Sequence, residues 1–361
     1  MPYAHKKEWE TFVADSETKR GGFFMPDGKL KSVIFSQQFD VKLMEKVFRL
    51  ADVIRQVEDN YEGALFLQSL LPHKRALLYF AQHSTRTRTS FEIACKLLGM
   101  QTTIVTDTST SSEYKGESPL DNIQTLSEYV DVIAMRHPTK GFVEQAAWHL
   151  QAKTRRPKPI INAGSSQDQH PTQALLDAYT MYRKFKKAGG INQKVIGFVG
   201  DLKSRTVRSN VYLSRNYKDV KLLFCAPRKH QIDEDMIGFL EKHNIQYELR
   251  YKFNKAEIEI MDVIYLTRLQ NDYDVDDPNR ATRIIKGFDL TKKKSKWMKH
   301  YAIIMHPLPR RGELSDEMDQ DERTRIWSQV RNGMWVRAAL ICLIFGVDLR
   351  IKTKYPDKFM R

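Results

Sequence analysis

The sequence predicts an α/β protein in which parallel strands, covered by helices, are divided over two domains. Three observations lead there. The chain has 361 residues, enough for two compact cores. Short apolar runs rich in β-branched residues recur along it, hydrophobic on both faces as buried parallel strands are. Amphipathic helical stretches separate those runs, the alternation that builds sheets from crossover connections.

Taken in order, residues 1–30 have no strong periodicity and are expected to form an N-terminal extension. Strands are predicted at 76–80, 102–105, 132–135, 159–162, 195–199, 220–224, 263–266 and 302–305. Helices are predicted between them, among others at 87–98, 120–129, 172–185, 206–213 and 233–243. A loop with Gly164 and Ser165-Ser166 leads into the 172–185 helix, so a domain boundary is placed near His170-Pro171. Gly189-Gly190 then marks the turn into the next strand. Residues 321–347 read as mostly helical, with Met334, Ala338, Leu340, Ile341 and Leu343 on an apolar face. No repeat of fixed period emerges.

With 41% hydrophobic and 29% charged residues, the composition is that of a soluble globular protein and argues against long disorder. No apolar run has the length of a membrane span, and the N-terminus is polar rather than signal-like. Cys95, Cys225 and Cys342 lie far apart in apolar contexts without metal-ligand spacing, so they read as buried thiols of a cytoplasmic enzyme. The net charge of +15 fits nucleic acid, anionic lipid or a site for small anions. The basic residues are spread out, with clusters only at 292–294 and 350–361, and no aromatic-basic motif is visible. A solvated surface is the favoured reading, with neither nucleic acid nor membrane as partner.

The turn after the first strand reads Phe80-Ala81-Gln82-His83-Ser84-Thr85-Arg86-Thr87-Arg88. A helix starting within 84–87 leaves backbone N–H groups without intrahelical partners. The helix dipole, three hydroxyls and a guanidinium together suit a phosphate dianion. A plain Ser/Thr cap followed by solvated arginines is the simpler alternative. Gly197-Phe198-Val199-Gly200 lacks both the Walker lysine and the Rossmann spacing, which weighs against a nucleotide enzyme. Arg136 closes a strand, and His170 and Gln173 stand three apart across a helix start, so both can face one ligand. Arg205 and Arg268 each follow a strand and suit carboxylate clamps, although either alone would more often be a surface ion-pair partner.

In order and spacing, Ser84-Thr85-Arg86-Thr87-Arg88, Arg136-His137-Pro138, His170-Pro171-Thr172-Gln173, Arg205, Arg268-Leu269-Gln270 and His306-Pro307-Leu308-Pro309-Arg310 resemble the aspartate/ornithine carbamoyltransferase family. The resemblance covers roughly residues 35–350, and the His-Pro-Leu-Pro-Arg and Thr-Arg-x-Gln patterns indicate its aspartate branch. It implies two doubly wound parallel-sheet domains with a hinge, and a C-terminal helix packing back on the first domain. The implied division is an extension at 1–30, a carbamoyl phosphate-binding domain at 31–171 with the helix 332–361, and an aspartate-binding domain at 172–331. The implied activity is carbamoyl transfer from carbamoyl phosphate to the amine of L-aspartate, in pyrimidine biosynthesis, with no cofactor and no metal.

By the same resemblance Ser84, Thr85, Arg86 and Thr87 would hold the phosphate, with Arg136 reaching both phosphate and carbonyl oxygen. Arg136, Thr87 and His170 would polarise the carbonyl, while Gln173 and the backbone carbonyls of Leu308 and Pro309 would fix the carbamoyl amide. Arg205, Arg268 and Gln270 would bind the aspartate carboxylates. Lys115, with Ser111, matches a loop that a neighbouring subunit contributes in the family, which implies a homotrimer with shared active sites. Family members vary in whether a regulatory subunit joins them.

The chain departs from the family where Gln82-His83 replaces a Glu-Pro pair, where Tyr273 replaces an arginine, and where Arg208 stands at a common histidine position. Both ends of an interdomain charge clamp are thereby neutral, so altered closure or a different amine acceptor is expected. An inactive scaffold is the reading from another class, and the complete set of phosphate ligands argues against it.

Overall fold

The computed structural model describes residues 5–106, 116–268 and 287–359. These form two compact units, one of Met1–Thr172 with Gly333–Arg361 and the other of Gln173–Asn332. Each is an α/β unit around one parallel sheet, as the sequence predicts.

In the first unit, helices α1 (Lys6–Ala14), α2 (Glu17–Phe23), α3 (Val41–Glu58) and α4 (Tyr61–Gln68) precede strand β1 (Arg75–Phe80). Helix α5 (Thr85–Leu97), β2 (Gln101–Val105), α6 (Pro119–Ser127), β3 (Val132–His137), α7 (Phe142–Ala152) and β4 (Ile160–Ser165) follow in alternation. The strands lie in the order β2-β1-β3-β4. Every residue of β1 after Arg75 is buried, because helices cover both faces of a central parallel strand. Leu77, Tyr79, Ile133 and Met135 pack with Phe142, Val143 and Trp148 of α7 in one core.

Residues 5–30, expected as an extension, belong to this unit instead. Phe24 is fully buried in its core, and Trp9, Phe12 and Phe23 pack against the same cluster. Their apolar positions are too few and too interrupted by Gly21-Gly22 for a periodic signal, so the aromatic contacts, not propensity, decide these helices.

Helix α8 (Pro171–Phe185) carries the chain into the second unit. There β5 (Val195–Val199), α9 (Arg205–Leu213), β6 (Lys221–Cys225), α10 (Glu234–Lys242), β7 (Gln246–Arg250), α11 (Lys255–Ile258), β8 (Val263–Leu266), α12 (Lys292–Ser295) and β9 (Ile303–Met305) build a parallel sheet of order β7-β6-β5-β8-β9. β7 escapes the pattern reading because Gln246, Glu248 and Arg250 make a half-exposed edge strand, not a buried apolar run. Helix α13 (Ile326–Phe345) returns the chain to the first unit, followed by α14 (Asp348–Lys354) and α15 (Pro356–Phe359). The helix thus begins at Ile326, later than the helical reading from 321. In the first unit the returning segment is tied down by Trp335 Nε1 donating to Glu58 at 2.5 Å and by Lys46 with Asp348 at 2.9 Å.

Candidate functional site

The register of each sheet decides where the motif residues arrive. In the first sheet, of order β2-β1-β3-β4, the crossover after β1 runs to one side and the crossover after β3 to the other. The β1–β3 boundary is therefore a topological switch point, where open α/β sheets leave a crevice at the strand carboxyl ends. Phe80 pairs with Arg136 at that end, and the Gln82 N–H donates to the Arg136 carbonyl at 3.4 Å. The turn Ser84-Thr85-Arg86-Thr87 and the Arg136 side chain are thus delivered to one edge of one sheet.

Ser84 occupies the N-cap of α5 in extended backbone, and its side chain caps no amide. Ser16, Asp40 and Asn60, at the N-caps of α2, α3 and α4, each accept an amide hydrogen bond in the usual way. The first intrahelical bond of α5 runs from the Arg88 N–H to the Ser84 carbonyl at 3.1 Å, so the preceding amides point off the helix end. Thr85 and Arg86 are exposed there. Positive dipole, helix-end amides and a cation coincide.

His170 comes from the loop after β4, next to β3 in the sheet. The Ser166 N–H donates to the His137 carbonyl at 2.9 Å, holding this loop against the end of β3. His170 is 3% exposed, and its Nδ1 lies 3.4 Å from the Thr172 hydroxyl. His137, quoted in the same motif as Arg136, has a structural part: its Nδ1 accepts from the Thr139 N–H and its ring packs on Phe142.

The second sheet repeats the logic. Its switch point falls between β5 and β8, the strands that precede Arg205 and Arg268. Gly200, after β5, has φ +116°, and a Cβ there would stand 2.1 Å from the Thr267 carbonyl oxygen, so only glycine lets the two strand ends approach. Arg205 opens α9, and burial pushes its guanidinium down to about 10. A cation shielded from solvent in this way gains from an anionic partner. Arg208 is committed to Asp233 at 3.0 Å and to Asp235. Lys115 and Gln270, together with Ser111 and Tyr273, lie outside the described residues.

Leu308 and Pro309 follow β9 and are joined by a cis peptide bond, with Leu308 at φ +59°. His306 supports them: its Nδ1 accepts from the Leu308 N–H at 2.8 Å and its Nε2 meets Glu313 at 2.7 Å. Burial, the largest single effect, would raise the Glu313 carboxyl, but the His306 hydrogen bond and charge together with the Glu313 and Arg311 backbone amides hold the group below its ordinary range.

Asp177 is a residue the motif reading missed. It is fully buried in the second unit and accepts from Gln173 at 2.9 Å, Asn210 at 2.9 Å, Tyr265 at 2.7 Å and Gln329 at 2.7 Å. Gln329 also accepts from the His306 N–H at 3.1 Å, so one carboxylate fixes both Gln173 and the base of the Leu308 loop. The signal was present: an aspartate four residues after Gln173, among Leu175, Leu176, Ala178 and Tyr179 of an amphipathic helix. Burial pushes Asp177 up to about 6 against its four hydrogen bonds.

The three cysteines are free and buried, and burial pushes the Cys95 thiol up to about 12, as inert core thiols require. Among the described residues, no helix is long and apolar enough to cross a membrane.

Two parallel-sheet units, each with arginines at its switch point and the first with helix-end amides beside them, are the architecture of an α/β enzyme for small anionic substrates. Residues 31–183 match the carbamoyl-P binding domain of aspartate/ornithine carbamoyltransferase, and residues 192–344 match its Asp/Orn binding domain. The aspartate carbamoyltransferase catalytic subunit of Clostridium novyi (strain NT) is 36% identical over 321 residues, which are 88% of this chain and 99% of that one. Among solved structures, the catalytic subunit of M. jannaschii aspartate transcarbamoylase has a TM-score of 0.76 at 32% identity, covering 88% of this chain and 98% of that one. Aspartate transcarbamoylase from Trypanosoma cruzi, in complex with N-(phosphonacetyl)-L-aspartic acid, has a TM-score of 0.77 at 29% identity, covering 86% and 94%. The chain belongs to the aspartate/ornithine carbamoyltransferase family.

Proposed function

We propose that the protein transfers the carbamoyl group of carbamoyl phosphate to the amine of L-aspartate, yielding N-carbamoyl-L-aspartate and phosphate in pyrimidine biosynthesis. The observation that carries this reading is the placing of the α5 N-terminus and Arg136 at one switch point and of Arg205 and Arg268 at the other. Family membership and the aspartate complexes of its structural neighbours support the same reaction.

In this reading Ser84, Thr85, Arg86 and Thr87 bind the phosphate. Arg136, Thr87 and His170 donate to the carbamoyl oxygen as negative charge builds on it, the preorganised stabilisation that dominates acyl transfer. Gln173, held by Asp177, and the carbonyls of Leu308 and Pro309 orient the amide. Arg205, Arg268 and Gln270 hold the acceptor carboxylates by paired guanidinium contacts. The free amine attacks the carbonyl carbon, the C–N bond forms and the C–O bond to phosphate breaks. The departing phosphate takes the amine proton, so the step needs no cofactor and no protein base. The remaining task is to hold two mutually repelling anions in attack geometry.

Lys115 and Ser111 would come from a neighbouring subunit, which makes the working form a homotrimer with shared sites in the cytoplasm; a regulatory subunit is a further candidate partner. Gln82, His83 and Tyr273 favour one second reading, a different acidic amine as acceptor. The test is an assay of purified protein with carbamoyl phosphate and a panel of amino acids and amines. Saturable carbamoyl aspartate formation is expected; turnover with another amine but not aspartate selects the second reading, and none with any amine overturns both.

A further inference from the structure

We propose that the N-terminal helix pair is a positioning element for His170, acting through the hydrogen-bond chain Glu17–Gln37–Gln169. This rests on the reading of His170 as a donor to the carbamoyl oxygen. Residues 5–30 precede the family domain, whose match begins at residue 31, so nothing in that match assigns them a part.

The chain of contacts starts on α2. The Gln37 amide nitrogen donates to Glu17 Oε2 at 2.5 Å, and its amide oxygen accepts from the Gln169 side chain at 2.9 Å. The Gln169 side-chain oxygen accepts from the Ser36 N–H at 2.8 Å, and its backbone carbonyl accepts from the Ser165 N–H at 3.0 Å. Gln169 therefore closes the β4 loop from two sides, and the next residue is His170. Gln37 and Gln169 are 5% and 6% exposed, so their amides are oriented by protein partners rather than by water.

Directionality makes Glu17 the outer anchor of the chain, as the donor-only Ser36 N–H is the inner one. A glutamine amide can turn over and exchange its donor and acceptor ends. A carboxylate only accepts, so Glu17 compels Gln37 to present its nitrogen outward and its oxygen to Gln169. Gln169 must then present its nitrogen to Gln37, which leaves its oxygen for the Ser36 amide. Reversal of either amide would put two donors or two acceptors face to face in a buried site.

The helix carrying Glu17 is itself fastened. Arg20 pairs with Glu144 of α7 and lies 5.2 Å over the Phe35 ring, beside Ser36. Gln151 donates to the Phe23 carbonyl, and Trp9 and Phe12 pack against Trp148. The aromatic contacts supply adhesion, and Glu17 supplies orientation.

The test compares the full-length wild type with Glu17→Ala and Glu17→Gln, the latter keeping an acceptor oxygen. Amide hydrogen exchange over residues 165–170 is expected to rise about tenfold in Glu17→Ala, the factor one hydrogen bond to a charged group is worth. Exchange in β1 and β3 should be unchanged, and Glu17→Gln should restore the slow loop. In the same proteins kcat should fall about tenfold for Glu17→Ala while the KM for aspartate holds. Loop exchange like wild type in Glu17→Ala overturns the proposal. So does acceleration spread through β1 and β3, which reports general loosening, or a Glu17→Gln loop as fast as that of the alanine variant. Absence of carbamoyl transfer in the wild type would refute the functional reading alone, because the exchange comparison does not depend on turnover.

Discussion

Arg86 and Arg205 are cations in opposite circumstances. Arg86 stands exposed at a helix start, where backbone amides add to its charge. Arg205 is buried enough to lose part of its proton affinity. In the proposed reading the first gathers phosphate from solvent, so Arg86→Ala should keep the fold and lose activity. A fall of about 10²–10³-fold in kcat is expected from removing one preorganised donor, read by product formation alongside an unchanged circular dichroism spectrum. Turnover like wild type would remove Arg86 from the site.

Asp177 makes a different prediction at the same scale. Burial raises its folded-state value to about 6 from 3.8. Between those values the folded protein holds a proton that the unfolded chain has released. Its contribution to stability is therefore fully present below about pH 4 and lost as pH rises through about 6. Asp177→Asn cannot titrate, so its Tm should vary less with pH across that window than the wild type's. Scanning calorimetry from pH 4 to 7 checks this; parallel curves would contradict it. Neither arginine required the structure to be noticed, since each sits in a motif. Asp177 did, because only burial distinguishes it from a surface aspartate.

Among the elements, the β5–α9 turn is the most tightly constrained part of the second unit. Gly200 lies at φ +116° against the Thr267 carbonyl, and Thr267 in turn donates to the Val199 and Asp201 carbonyls at 3.1 and 3.0 Å. Gly200→Ala meets backbone in a conformation that alanine avoids, and a loss of about 3 kcal/mol is expected in urea unfolding. Because the same turn leads to Arg205 and Thr267 precedes Arg268, the KM for aspartate should rise more than that for carbamoyl phosphate. An alanine variant as stable as wild type would show that the turn relaxes freely. The strand reading succeeded for the buried strands, whose two apolar faces leave a signal in composition, and for β2, an edge strand with no buried residue, through its β-branched residues. It failed for β7 and for α1 and α2, whose stability comes from neighbours distant in sequence.

For the whole molecule, the net charge of +15 suits the capture of two small anions, since a positive field speeds their encounter with the protein. The proposed sharing of sites between subunits has its own test. Arg86→Ala and Lys115→Ala should each be inactive alone. After dissociation and reassembly of a mixture, hybrid trimers should regain activity, because some sites draw both residues from unaltered copies. A mixture no more active than its parents would place Lys115 and Arg86 in the same subunit's site or outside it.

By itself, the sequence determined the α/β class, eight of the strands to within three residues at each end, and every motif at a strand end. Those features are legible because they are local: an apolar run between turns, or five consecutive residues with phosphate-binding chemistry. Only the tertiary structure decided the strand order, and with it the two switch points that gather Ser84, Arg136, Arg205 and Arg268 at sheet edges. It also decided that residues 5–30 are part of the first unit and that Asp177 governs Gln173. Strand order and burial depend on contacts between residues far apart in the chain. No periodicity within a short window encodes them.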